Sequence, residues 1–114
     1  MTFTLGTSSV ELVGGAPQRY ELKQNYPNQL NPTTNIEFSM LKSGYASLKV
    51  YDVIGREVST IVDEDKSVGN YRATFSSIGG STSGGDARNL PSGTYFYTLR
   101  SGEFSQTKKL LILK

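Results

Sequence analysis

The sequence contains neither cysteine nor histidine, and these two absences exclude whole classes of function. Without cysteine there is no disulfide and no thiolate nucleophile, a composition that fits cytosolic and exported proteins equally. Without histidine, the usual general base and the commonest transition-metal ligand are missing. A Ser-His-Asp hydrolase is therefore excluded. We expect a protein that is not an enzyme and that carries no cofactor and no metal.

The chain also lacks an excess of one charge and any long apolar run. It has 12 basic and 10 acidic residues, so its net charge of +2 is too small and too scattered to form a stripe that binds phosphates. No run approaches the roughly 20 apolar residues of a membrane helix, and the first residues do not follow the pattern of a signal peptide. We expect no nucleic-acid partner and no insertion into a membrane.

The length of 114 residues suits a single folded domain. Residues 1–16 are small, polar and rich in glycine, which predicts the end of a linker that follows a larger upstream protein. The domain would then occupy 17–114. Residues 76–85, "SSIGGSTSGG", have nothing to bury and predict a flexible loop that is inserted into it, either a natural insertion or an engineered one.

Most of the remaining sequence alternates between apolar and polar residues, which is typical of half-buried antiparallel strands. Such runs span 34–40, 45–51, 57–63, 69–75, 93–100 and the residues from 104 onwards, with 18–24 as a further edge strand. These six to seven strands predict an all-β protein, an immunoglobulin-like antiparallel β-sandwich. The expected core residues are Ile36, Phe38, Leu48, Val50, Val58, Tyr71, Phe75, Tyr95, Tyr97, Leu99, Leu111 and Leu113.

Individual residues within this pattern have more than one interpretation. Tyr95, in "LPSGTYFY", either forms a tyrosine corner, in which its hydroxyl bonds the backbone a few residues upstream, or is an ordinary core aromatic. Asp63, Glu64 and Asp65 stand together at a predicted hairpin turn. There we interpret them as solvated turn residues or as a weak calcium contact, because a catalytic pair needs two carboxyl groups that face one cleft.

Two clusters are candidates for contact with a partner. Tyr45, Tyr51 and Phe96 alternate with buried positions, and they either stack on a sugar or a partner surface or simply cover a sheet. The last residues, "KKLLILK" at 108–114, place four apolar residues between lysines. This tail also fits a final strand whose ends are kept soluble by lysine.

Before the strand at 34–40 stands the segment "NYPNQLNPTT", residues 25–34, which we call the asparagine-rich segment. Each proline pushes the residue before it out of the helical region, and each asparagine can bond nearby backbone groups through its side chain. The composition therefore predicts a stiff, extended segment that bonds to itself.

Taken in order, the motifs "NYPNQLNPTTNIEFSM", "LKVYDVIGREVSTIVDE", "GNYRATF" and "LPSGTYFYTLRSGEFSQTKKLLILK" resemble the type A C-terminal sorting domain of the type IX secretion system of Bacteroidetes-like bacteria. The resemblance covers about residues 17–114. It implies a non-catalytic secretion signal that directs an upstream cargo protein through the periplasm and across the outer membrane, to a secreted or cell-surface location. The implied partners are the secretion machinery and a surface sorting peptidase, and we expect a monomer.

The alternative interpretation is an accessory immunoglobulin-like module that binds a partner or serves as a spacer in a secreted enzyme, or else an engineered scaffold with a grafted loop. The resemblance also implies which residues the translocon recognises. They are Asn25, Tyr26, Pro27, Asn28, Asn31, Pro32, Gly55, Gly93, Tyr95, Lys108, Lys109, Leu110, Leu111, Ile112, Leu113 and Lys114.

The sequence departs from the family that it resembles at two places. Gln29 and Leu30 stand where a Pro-Phe pair is usual, which removes one rigid φ angle and one aromatic anchor. Residues 76–85 stand between the strand that ends near Phe75 and an Asp-Ala turn that usually follows directly.

Overall fold

The computed structural model describes residues 10–30, 33–76 and 90–113. Alternating residues along its long strands place one face in the interior and the other towards solvent. No helix in these ranges is long and apolar enough to cross a membrane. The strands are β1 (Val10–Val13), β2 (Glu21–Leu22), β3 (Gln29–Leu30), β4 (Thr33–Met40), β5 (Gly44–Tyr51), β6 (Glu57–Lys66), β7 (Gly69–Ser76), β8 (Gly93–Ser101) and β9 (Phe104–Ile112).

The strands form two sheets that pack against each other as a sandwich. The four-stranded sheet has the order β1-β7-β4-β2 and is antiparallel throughout. The five-stranded sheet has the order β3-β9-β8-β5-β6, and only its β3–β9 pair is parallel. The prediction of an all-β sandwich is confirmed.

Seven of these strands correspond to predicted ones, since β2 lies within 18–24 and β4 to β9 cover the other alternating runs. The sequence does not predict β1 and β3, which have 4 and 2 residues, too few for alternation to be recognised. β1 pairs with β7 although it lies in the predicted linker 1–16. The expected domain boundary at residue 17 thus separates the four-stranded sheet from its own edge strand.

The core lies between the two sheets, and its largest fully buried side chains include Tyr97, Phe38 and Phe75. Full burial of such a side chain stabilises the fold by roughly 1.5–3 kcal/mol. Val58 is only partly buried against this core. The expected core residues confirmed as buried are Ile36, Phe38, Leu48, Val50, Tyr71, Phe75, Tyr95, Tyr97 and Leu99.

The core prediction is wrong for the two leucines of the tail. Leu111 is 38% exposed and Leu113 is 37% exposed, whereas Leu110 and Ile112 are fully buried. Leu110 lies directly opposite Tyr95 of β8, so the register of the pair directs the even-numbered residues of β9 inwards. Four consecutive apolar residues fit either phase of the alternation, and the pattern alone therefore does not choose between them.

The acidic residues Asp63, Glu64 and Asp65 lie within β6 rather than in the predicted turn. Because they are consecutive in a strand, Glu64 points away from the face that carries the other two. Glu64 Oε2 instead lies 2.8 Å from Lys66 Nζ. In the described ranges no three acidic side chains are placed to hold a metal ion.

Several predicted features lie outside the described residues. They include the proposed loop at 76–85 apart from Ser76, which ends β7, and three of the expected recognition residues, Asn31, Pro32 and Lys114.

Candidate recognition surfaces

The side chain of Asn25 is buried, at 1% exposure, and holds the asparagine-rich segment together. Its amide nitrogen donates to the carbonyl oxygen of Pro27 at 2.9 Å and to Thr34 Oγ1 at 3.0 Å. The Thr34 hydroxyl also donates to the Pro27 carbonyl, and the Gln24 amide donates to Asn25 Oδ1. The predicted self-bonding of the segment is confirmed. Asn25 therefore shapes the segment and offers no surface to a partner.

Tyr26 points outwards from this network. Its backbone exchanges two hydrogen bonds with Asn35 of β4, at 2.8 and 2.9 Å, and its peptide bond to Pro27 is cis. The Tyr26 side chain is 78% exposed, and Pro27 and Asn28 are exposed as well. The segment thus presents an aromatic ring on a backbone that is fixed from both sides.

The segment and the tail lie side by side, although they are far apart in the sequence. Gln29 pairs with Leu111 and Leu30 pairs with Ile112 in the parallel β3–β9 ladder. The ladder continues beyond β9, since the Leu113 N–H donates to the Leu30 carbonyl oxygen at 3.0 Å. The structure therefore brings together the two ends of the expected recognition set.

Exposure divides the tail into residues that form the core and residues that face solvent. Leu110 and Ile112 are fully buried. The backbone of the tail is held by Gln24, the residue just before the asparagine-rich segment, whose side-chain amide donates to the Lys109 carbonyl oxygen at 2.7 Å. The tail residues that are at least partly exposed are Lys108, Lys109, Leu111 and Leu113.

The departures at Gln29 and Leu30 are compatible with this arrangement. Leu30 is fully buried and so provides an apolar anchor where an aromatic one is usual. Gln29 is exposed. The Leu30 carbonyl points towards β9, and the backbone groups of successive residues in a strand point in opposite directions. The N–H of Gln29 therefore points away from β9. A proline at position 29, which has no N–H, would lose no hydrogen bond of the β3–β9 ladder.

The expected recognition residue Gly55 lies in a rigid turn between β5 and β6. Its φ of +90° favours glycine. Asp52 Oδ1 accepts the N–H groups of Ile54 and Arg56, each at 3.0 Å, and Oδ2 accepts Arg56 Nε at 2.8 Å. The bond from the Arg56 N–H is the main cause that lowers the pKa of Asp52 below its usual value. The turn leaves Val53 and Ile54 68% and 70% exposed.

Two tyrosine corners fix the starts of β7 and β8. The Tyr95 hydroxyl donates to the Pro91 carbonyl oxygen at 2.7 Å, so the predicted corner is confirmed. The Tyr71 hydroxyl makes the same contact with the Ser67 carbonyl at 2.9 Å. The corner at Tyr71 is not among the predicted features, although "GNY" at 69–71 repeats the "GTY" at 93–95. Tyr95 is 5% exposed and therefore acts in the fold rather than as a contact.

Tyr97 links the five-stranded sheet to the chain just before the asparagine-rich segment. Its ring is fully buried, and its hydroxyl donates to the Lys23 carbonyl oxygen at 2.8 Å. Burial raises the pKa of Tyr97. The sequence predicts this tyrosine as core but carries no signal for the hydrogen bond, because its acceptor is a backbone atom distant in sequence.

The expected aromatic cluster is only partly assembled. Tyr51 and Phe96 lie directly opposite each other on the outer face of the five-stranded sheet. Tyr45 is 55% exposed but lies at the other end of β5, opposite Asp65. Phe96 is also opposite Lys109 of the tail. The Tyr51–Phe96 pair is thus continuous with the tail, and Tyr45 is separate from it.

The buried polar side chains of the described residues are all used within the fold. Every buried side-chain nitrogen or oxygen in the described residues has a hydrogen-bond partner, so none is held in reserve for a ligand. The features that remain for recognition are exposed side chains on a rigid frame.

Comparison with known proteins matches the chain to a family model. The family model for a secretion system C-terminal sorting domain matches residues 24–113, which include the asparagine-rich segment, the turns and the tail as far as Leu113. No curated protein and no solved structure matches the chain.

Proposed function

Because the chain belongs to the C-terminal sorting domain family of the type IX secretion system, we propose that the machinery reads it through exposed side chains of the asparagine-rich segment and the tail. The domain directs the secretion of a cargo protein and is not itself catalytic. The cargo is secreted or attached to the cell surface, and the domain interacts with the secretion machinery.

The observation that carries this proposal is the β3–β9 ladder, which places the segment beside the tail. Buried residues of both, such as Asn25, Leu110 and Ile112, shape the site without being accessible to a partner. The accessible residues, which we together call the recognition surface, lie on both sides of the edge where the segment crosses from one sheet to the other, with Tyr26 towards the outer face of the four-stranded sheet and Lys109 and Leu111 on the outer face of the five-stranded sheet. The recognition surface consists of Tyr26, Asn28, Lys109, Leu111 and Leu113.

The finer features of the sorting domain belong to the same proposal. The domain follows an upstream cargo through the periplasm as a monomer and is removed by a surface sorting peptidase. The sorting domain itself extends from about residue 17, and β1 of the preceding linker adds to it as an edge strand. Its sandwich is immunoglobulin-like in its connections, and the tyrosine corner at Tyr95 supports this because such corners are typical of that fold.

Export of a periplasmic reporter fused to the whole chain tests the proposal in cells with and without the translocon. Deletion of the tail is unsuitable, because it removes Leu110 and Ile112 from the core and unfolds the signal. The double variant Leu111→Ser and Leu113→Ser instead changes two side chains that are both partly exposed. We expect it to reduce export with little change in the melting temperature.

The matched control is Leu41→Ser, since Leu41 is 38% exposed, like Leu111, but lies just after β4. For the asparagine-rich segment, the test variant is Tyr26→Ala. Its control is Tyr45→Ala, which removes an exposed tyrosine outside the recognition surface. Export at the normal level by both recognition-surface variants would refute the proposed surface. Export that does not require the translocon would refute the proposal that the translocon is the partner of this domain.

A further inference from the structure

The chain that leads into the asparagine-rich segment is held by both sheets. On the side of the four-stranded sheet, the Lys23 N–H donates to the Glu37 carbonyl oxygen at 2.9 Å. On the side of the five-stranded sheet, the Lys23 carbonyl oxygen accepts the Tyr97 hydroxyl at 2.8 Å. The Leu22 N–H also donates across the sandwich, to Gln106 Oε1 of β9 at 3.2 Å. The residues just before the segment are therefore anchored on both sides.

Gln24 follows these anchors and joins the segment to the tail through one amide group. Its Nε2 donates to the Lys109 carbonyl oxygen of β9 at 2.7 Å and also to Asn25 Oδ1. A side-chain amide nitrogen carries two protons, and both are used here. This single group thus connects the hydrogen-bond network that shapes the segment with the backbone of the tail.

Backbone carbonyl groups at both ends set the direction of these bonds. Asn25 donates its own amide protons to the Pro27 carbonyl oxygen and to Thr34 Oγ1, so its Oδ1 faces Gln24 as an acceptor. The Lys109 carbonyl oxygen on the other side can only accept. Position 24 therefore requires a hydrogen-bond donor. A carboxylate of the same shape would face two oxygen atoms to which it cannot donate.

The β3–β9 ladder that lies next to this contact is short. β3 has two residues, which pair with Leu111 and Ile112, and one further bond runs from the Leu113 N–H to the Leu30 carbonyl oxygen. A ladder with so few hydrogen bonds opens locally at a low cost in free energy. The bond from Gln24 is made to the residue two positions before the paired part of β9, so it extends the attachment of the tail.

From these contacts we propose that Gln24 is a positioning residue for recognition by the secretion machinery. Its amide keeps the tail and the asparagine-rich segment in one fixed arrangement, so that the machinery meets both parts of the recognition surface together. Gln24 acts through Asn25 and Lys109 and does not itself contact the partner. The inference rests on the proposed function, because it concerns how the same surface is held.

Two substitutions at this exposed position separate the donor from the shape of the side chain. Gln24→Glu keeps the shape and removes both donors, whereas Gln24→Lys keeps a donor on a chain one bond longer. Amide hydrogen exchange of the full chain, followed by NMR, measures the attachment of the tail at the Leu113 N–H. We expect Gln24→Glu to speed this exchange about two- to tenfold and Gln24→Lys to leave it near the wild-type rate.

The exchange of the Leu99 amide in β8 distinguishes positioning from a general loss of stability. Leu99 is fully buried in the core, and we expect its exchange to stay unchanged in both variants. In the export experiment, Gln24→Glu should lower secretion of the reporter at a temperature at which the domain is folded, and Gln24→Lys should restore it. Gln18→Glu is the matched control, because it makes the same change at an exposed glutamine before β2.

Several results would overturn the inference. An unchanged rate at Leu113 in Gln24→Glu, or an equal acceleration at Leu99, would show that the amide does not position the tail. Normal export despite faster exchange at Leu113 would remove the positioning from recognition. Failure of Gln24→Lys to restore export would exclude the donor as the cause. If the recognition-surface variants instead export normally, the proposed function fails, and the exchange measurement, which needs no machinery, still decides whether Gln24 holds the tail.

Discussion

At the scale of single residues, the same hydrogen bond from a tyrosine hydroxyl to the backbone occurs once in each sheet. Tyr71 in β7 and Tyr95 in β8 each donate a hydroxyl proton to the carbonyl oxygen of the residue four positions earlier. In both cases a glycine opens the strand two residues before the tyrosine. Each bond closes the turn that precedes the strand, so the two positions require tyrosine and not merely an aromatic ring.

We predict that Tyr71→Phe and Tyr95→Phe each lower the free energy of unfolding by about 0.5–1.5 kcal/mol, because each loses one hydrogen bond and keeps its ring. Urea unfolding followed by far-UV circular dichroism measures the change. The control is Tyr45→Phe, whose hydroxyl is on an exposed side chain. Corner variants that unfold at the same urea concentration as this control would show that the two bonds contribute nothing.

Asp52 is the second residue with a defined local role, since its carboxylate holds the β5–β6 turn. The hydrogen bond from the Arg56 N–H lowers its pKa, so the folded state binds this proton less readily than the unfolded state does. The contribution to stability is therefore complete above the pKa of the unfolded state, about 3.9, and is lost as the pH falls through the lower pKa of the folded state.

We predict that Asp52→Asn destabilises the domain at neutral pH and that its difference from the wild type disappears on acidification. Urea midpoints of both proteins across the acidic range measure this dependence. Asp63→Asn, which changes an exposed carboxylate on β6, is the matched control. A difference between wild type and Asp52→Asn that stays constant down to the lowest pH would contradict the assignment.

At the scale of elements, the tail strand β9 shows what pairing adds to sequence pattern. Leu110 and Leu111 are chemically identical neighbours, yet one is fully buried and the other is 38% exposed. The difference comes from the register with β8, where Leu110 faces Tyr95 and Leu111 faces Thr94. A strand with apolar residues on both faces carries no internal signal for its own phase.

We predict that Leu110→Ala lowers the free energy of unfolding by about 2–5 kcal/mol, the usual cost of a cavity in a core. Leu111→Ala should cost under about 1 kcal/mol, because its side chain already contacts solvent. The same urea experiment compares the two variants. Equal losses would mean that the phase of β9 is not the one described, and the recognition surface would then have to be redrawn.

For a related reason, the alternation of apolar and polar residues does not predict short or irregular elements. β3 has two residues, and its partner in β9 is supplied from the far end of the chain. β6 contains two register shifts against β5, at Val58 and Ile61, where one extra residue interrupts the alternation. Pairing partners, and not local propensity, determine these details.

At the scale of the whole molecule, the sequence predicts the architecture and the family but not the arrangement of the recognition surface. Alternation locates the long strands and most of the core, because each of these strands buries one face. The motifs of the segment and the tail indicate a sorting domain. They do not distinguish Asn25, which is buried, from Tyr26, which is 78% exposed, because that distinction depends on hydrogen bonds across the fold.

The order of the five-stranded sheet also links the domain to protein synthesis. β9 is the last of the described strands to leave the ribosome, yet its place is between β3 and β8. A chain that stops before Leu110 leaves β3 without a partner and the core without two of its fully buried residues. Folding of the domain therefore reports that translation has passed this point. Prematurely terminated cargo would therefore lack the folded form of this signal, so we expect export to be limited to chains that were translated to the end of β9.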